Sequence, residues 1–206
     1  MNQPTVTPTQ LALIRAGRDL FARHGYDGAS IRMITRRAGA NLGAITYHFG
    51  SKSAFHDRVI DATIGPFADR VVEAATGPGD PLDRVEAVVR TYVEYLRLHP
   101  ELPRFLLQGL VLRDRPPAAA LKHLRRVLGV LTALIVEGQA DGSIRAGPPV
   151  VLGLGMTSQA IHLSVVQRVL AAATGLDLRD AATREEVVSN LVRYARAGLA
   201  RGSEED

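Results

Sequence analysis

The side chains best suited to chemistry in this 206-residue chain gather near its start. Ser30, Asn41, Tyr47, His48 and Lys52 offer hydroxyl, amide, phenol, imidazole and ammonium groups within 23 positions, with Arg32, Arg36 and Arg37 among them. All can donate hydrogen bonds to phosphate oxygens, and the cations add charge attraction. Ser30 also opens a helical pattern, so its hydroxyl and the free N–H groups behind it suit an anion. Each residue has a plainer reading too. Ser30 and Asn41 are helix caps first, and the arginines can be solvated surface charge.

The charge distribution favours the anion-binding reading. Residues 1–60 carry eight cations against Asp19, Asp27 and Asp57, an excess of five, while the remaining 17 cations face 18 anions. All the surplus positive charge of a chain with net charge +4 therefore lies in its first third. Such asymmetry points to a polyanion for the front segment and a different task for the rest.

Catalytic constellations are missing. The sequence has no cysteine, which excludes disulfide stapling, thiol catalysis and cysteine-ligated metals. It has no G-x-S-x-G elbow, H-E-x-x-H pair, P-loop or G-x-G-x-x-G turn. The six histidines (24, 48, 56, 99, 123 and 162) lack metal-ligand spacing, so neither a metal nor a cofactor is expected. Apolar residues make up 46% of the chain, enough for a substantial core. No apolar run approaches the ~20 residues needed to cross a bilayer. Met1–Gln10 is polar with two prolines, unlike a signal peptide or anchor. The expectation is a soluble cytoplasmic protein with no membrane partner.

The elements that must carry these residues read as helices almost throughout. Leu11, Ile14, Leu20 and Phe21 stripe a helix over 9–24 that Gly25 stops. Ser30 caps a second over 31–38, closed by Gly39, and Asn41 caps a short third over 42–48. Ser51 caps a fourth from Lys52, which should bend or break at Gly65-Pro66. Beyond the turn at 77–81, Leu82 to Leu96 mark a long helix, a shorter one covers about 102–112, and Leu121 to Ile135 mark the next. Val127–Val136 is apolar on nearly every side, which predicts burial all round. Residues 139–149 read as a turn. Val151, Leu154, Ser158, Ile161, Val165 and Val169 carry a further helix, and Val187 to Leu199 the last. The predicted fold is all-α with about nine helices. A three-helix module over 1–56 precedes a bundle over 57–206.

The pattern over Ser30–Phe55, SIRMITRRAGANLGAITYHFGSKSAF, resembles the helix-turn-helix signature of the tetracycline-repressor (TetR) family of bacterial transcription regulators. The matching residues are Ile34, Ala38-Gly39, Asn41, Gly43, Ile45, Tyr47-His48-Phe49, Ser51-Lys52 and Phe55, and residues 13–30 are similar to the family's first helix and its Gly-Tyr turn. The resemblance implies a helix-turn-helix DNA-binding domain followed by a ligand-binding and dimerisation bundle. It implies DNA contacts from Ser30, Arg32, Asn41, Leu42, Gly43, Ala44, Thr46, Tyr47, His48 and Lys52. Two positions depart from the usual pattern: Thr35 stands where alanine is usual, and Thr46 where a tyrosine often contacts DNA. The reading helix is poor in bidentate hydrogen-bonders, so thymine methyls and DNA shape are expected to carry specificity.

The resemblance further implies a homodimer through the last two long helices, about 148–173 and 179–200, a double-stranded operator, and a small-molecule effector bound between residues 81 and 137. Polar groups within apolar stripes are the candidates for the effector site, Tyr92, Gln108, Gln159 and His162, with Phe105 and Met156 as apolar walls. Each also suits an ordinary core or interface position. The rival readings are an all-α adaptor for another protein and a small-molecule-binding enzyme. Neither accounts for the cationic front segment.

Overall fold

The computed structural model describes residues 7–107 and 116–201. Among the described residues the secondary structure is helical apart from one isolated bridge, Ile144 to Ala200. The elements are α1 (Pro8–Gly28), α2 (Ile31–Ala38), α3 (Ala44–Phe49), α4 (Lys52–Ala75), α5 (Pro81–Leu98), α6 (Leu102–Leu106), α7 (Ala118–Ala140), α8 (Pro149–Thr174) and α9 (Ala181–Leu199). They form two compact units. One comprises residues 1–66 and 101–123, the other 67–100 and 124–206.

In the first unit, α1 begins with a capping box. The Thr7 hydroxyl accepts from the Gln10 N–H at 3.2 Å, and the Gln10 side chain accepts from the Thr7 N–H at 2.8 Å. Gly25, at φ 66°, interrupts α1 where the sequence predicts a stop. Leu13, Phe21, Ile34, Ile45, Phe55 and Leu102 form the core, none more than 1% exposed. The Thr35 hydroxyl donates to the Ile31 carbonyl at 3.0 Å, so this residue fits its buried position between helices. On α4 and α7, Asp61 and the buried His123 meet at 2.8 Å.

In the second unit, α5 lies against α8 and α9. Val85, Val88, Val89, Leu131, Leu134 and Ile135 supply its core. The 141–148 connection is stitched to the end of α9: the Arg145 N–H donates to the Leu199 carbonyl at 2.8 Å, and Arg145 Nε to the Gly198 carbonyl at 2.7 Å.

Two sequence expectations need correction. The helix opening at Lys52 does not break at Gly65-Pro66; α4 continues to Ala75 with Pro66 inside it. Proline removes one ladder bond, and burial of Ile64, Phe67, Ala68 and Val71 on either side outweighs that loss. The apolar middle of α7 is not enclosed all round, since Gly129, Ala133 and Val136 are exposed. Helix α8 is long and apolar enough to cross a membrane by length and composition, although it holds no unbroken apolar run of that length. Polar residues at Thr157, Ser158, Gln159, His162 and Ser164 interrupt every run without lowering the mean hydropathy much. The regular stripe Val151, Leu154, Ile161, Val165 and Val169 faces outward, while Leu152, Met156, Thr157 and Ala160 face the core.

Candidate nucleic-acid interface

The α2–turn–α3 segment is built almost entirely by local forces. Ser30 Oγ accepts from the Met33 N–H at 3.2 Å and starts α2. Gly39, left-handed at φ 64°, ends it and returns its N–H to the Thr35 and Arg36 carbonyls. Only glycine adopts that conformation cheaply. The next helix starts later than the sequence predicts. α3 begins at Ala44 with Gly43 as its cap, and no side chain caps it. Asn41 contributes its backbone carbonyl, which accepts from the Ala44 N–H at 2.9 Å. Leu42 and Gly43 therefore belong to the turn.

α3 is anchored from beneath. Ile45 is fully buried, and Phe49 meets Phe55 with ring centroids 4.9 Å apart. With the inward positions taken, the others face solvent. Tyr47 is 85% exposed and Leu42 61%, and Thr46 is exposed beside them. Tyr47 on α3 and Leu42 in the turn before it are therefore accessible to a partner. Thr9, at the start of α1, lines one groove with Asn41, Gly43, Ala44, Tyr47 and His48. The sequence reading missed Thr9, which belongs to no motif and joins the site only through packing. The His48 ring lies edge-on to Tyr47 at 4.8 Å.

The cations around this face differ in ways their spacing hides. Arg32 and Arg36 are exposed. Arg37 is tied to Asp19, which also lies 3.7 Å from Arg23, so its charge is partly neutralised within the unit. Arg18 pairs with Glu101 at 3.5 Å. Ser51 caps α4 by accepting from the Ala54 N–H at 3.1 Å. Lys52 is half-buried at the start of that helix, its Nζ 4.5 Å from the centre of the Tyr26 ring.

The residues proposed for an effector are scattered. Tyr92 and Met156 are buried in the second unit. The Tyr92 hydroxyl bonds with Thr157, yet burial pushes its pKa up to about 12. Phe105 is buried in the first unit, 6.4 Å from the His56 ring. Gln159 and His162 line a groove of about 720 Å³ between α8 and α9, facing Glu186 and Asn190. Gln108 lies outside the described residues.

A capped helix, a glycine turn and a short helix with an exposed outer face form a helix-turn-helix, the arrangement that can lay a short helix in the major groove of DNA. Residues 13–59 match the family model described as bacterial regulatory proteins, tetR family. The HTH-type transcriptional repressor NicS of Pseudomonas putida is 28% identical over 138 residues, 65% of this chain and 64% of that protein. The chain thus matches less than two thirds of that relative's length. The repressor AcnR of Corynebacterium glutamicum is 39% identical over 46 residues, 22% of this chain and 24% of that one. Among solved structures, a tetR-family regulatory protein from Rhodococcus superposes with TM-score 0.75 at 17% identity, covering 96% of this chain and all of that one. NemR of E. coli does so with TM-score 0.70 at 17% identity and 96% and 100% coverage. The tetR-family match is thus confined to residues 13–59, and over nearly its whole length the chain shares the fold of these solved structures.

Proposed function

We propose that this protein is a ligand-responsive transcriptional repressor that binds a pseudo-palindromic operator as a homodimer. Residues 1–56 form the DNA-binding domain and 57–206 the ligand-binding and dimerisation domain, working in the cytoplasm. The observation that carries this reading is the bare outer face of α3 within the matched family domain. Thr46 and Leu42 offer methyl groups to bases in the major groove, and Ala44 and Gly43 permit close approach. Ser30, Arg32, Asn41, Tyr47, His48 and Lys52 hold the flanking phosphates.

Dimerisation rests on the apolar stripe of α8, with exposed Tyr194 of α9 beside it in sequence order. Two copies present two reading helices one DNA turn apart, ~34–36 Å. The effector is a small molecule that one tilt of α4 accommodates better than another, with Tyr92, Met156, Gln159 and His162 of the second unit as candidates for its contacts. A differential affinity of ~1–3 kcal/mol changes operator affinity about 5- to 150-fold.

Selection of bound duplexes from random DNA tests the reading directly. The expected product is a two-fold-related motif, bound by a dimer, with affinity falling steeply as salt rises. A monomer indifferent to duplex DNA at modest ionic strength overturns it.

A further inference from the structure

Lys52 occupies an electrostatically awkward place. It is the first residue of the 24-residue helix α4, where the helix dipole opposes a cation and favours an anion. The helix dipole alone therefore gives no reason for an ammonium there. What holds it is an aromatic platform. Gly25, left-handed at φ 66°, turns the chain so that Tyr26 stacks on Phe21, with centroids 6.1 Å apart and ring planes 18° from parallel. His56, 4% exposed, locks the pair from the side, edge-on to Tyr26 at 4.9 Å and to Phe21 at 4.6 Å. The Lys52 ammonium lies 4.5 Å from the centre of the Tyr26 ring, within the range of cation–π attraction.

We propose that Tyr26 is a positioning residue for DNA binding: its ring holds the Lys52 ammonium ready for a backbone phosphate. The ring takes one side of the ammonium and leaves its other N–H donors for phosphate oxygens. A lysine side chain otherwise loses considerable rotamer freedom on binding, and here that loss is incurred during folding. The proposal rests on the reading of Lys52 as a phosphate contact given above. His56 and Phe21 support the platform and do not touch DNA in this scheme.

The test is a double-mutant cycle of full-length protein against a duplex recovered by random-sequence selection, titrated over a range of salt. Lys52→Ala should weaken binding and flatten the log–log salt dependence by about one unit, as loss of one phosphate contact requires. Tyr26→Leu should weaken binding about two- to thirty-fold. Tyr26→Phe, which keeps the ring, should restore it. In the Lys52→Ala background, Tyr26→Leu should have no further effect. Independently of variant folding, the ε-methylene protons of Lys52 in the wild-type protein should show an upfield ring-current shift in NMR. An equal Tyr26→Leu loss with and without Lys52 overturns the proposal alone, as does Tyr26→Phe behaving like Tyr26→Leu, or an unshifted Lys52 signal. Wild-type affinity and salt slope in Lys52→Ala overturn the phosphate reading as well.

Discussion

Gly17 of α1 lies so close to Phe55 of α4 that a β-carbon on it would stand 2.6 Å from the ring Cζ and 2.9 Å from Val59 Cγ2. Phe55 and Val59 are both fully buried, so neither can retreat without opening the core of the first unit. Hydrogen at this position is a packing requirement, because the backbone is ordinary helix. Gly17→Ala should therefore destabilise the protein by about 1–3 kcal/mol through overpacking. Gly129→Ala, where a β-carbon meets nothing within 4 Å, should be neutral or stabilising by up to about 1 kcal/mol. Chemical denaturation of both variants checks the contrast, and equal stability would refute it.

Tyr92 supplies a pH signature. Burial raises its phenol from the ordinary 10 to about 12, with the Thr157 bond acting weakly the other way. The neutral form is favoured in the fold, so this contribution is intact below about pH 10 and is lost as pH rises through about 12. The loss amounts to roughly 3 kcal/mol, at 1.36 kcal/mol per pH unit. Tyr92→Phe should flatten that alkaline decline, measured as unfolding free energy against pH. An unchanged slope would show that Tyr92 is not its source.

His123 depends on Asp61. Its Nε2 meets the Asp61 carboxylate, while its buried Nδ1 has no hydrogen-bond partner among the described residues. Asp61→Ala would leave both ring nitrogens unpaired and should cost about 1–3 kcal/mol. His123→Leu combined with Asp61→Ala should recover part of that loss, because it removes the stranded ring. Additive losses in the double variant would contradict this account.

The outward stripe of α8 is expected to be covered by a second copy. Ile161→Asp or Val165→Asp should yield a monomer of unchanged helicity, because both side chains are exposed in the single chain. Sedimentation velocity and circular dichroism measure the two properties. A surviving dimer would place the interface elsewhere.

Thr46 is the remaining test of base reading. Thr46→Ala should weaken binding selectively, with the loss concentrated on duplexes altered at one symmetric base pair. Competition against a panel of single-base operator variants reads this out, and a uniform loss across the panel would assign Thr46 to phosphate contact instead.

The front segment was legible because its structure is set within a few residues. The Ser30 cap and the Gly39 close of α2 each act on neighbours three or four positions away, and both stand where the sequence predicts. Where a cap is pure backbone, as at Gly43, no side chain marks it, and the start of α3 shifted by two residues. Long-range facts left no local trace. The persistence of α4 through Pro66, the half-neutralised charge of Arg37 and the ring beneath Lys52 all depend on residues brought together from different helices.

Periodicity told which residues share a helix face, and tertiary packing alone decided which face looks inward. The stripe from Val151 to Val169 is as regular as any core stripe, yet it points to solvent because α5 covers the opposite side of α8. The same limit scattered the effector candidates: Tyr92 went to the core, His162 to a groove and Phe105 to the other unit. Helix propensity and capping are local energies written in order along the chain, whereas burial is a contest among all faces for too little core.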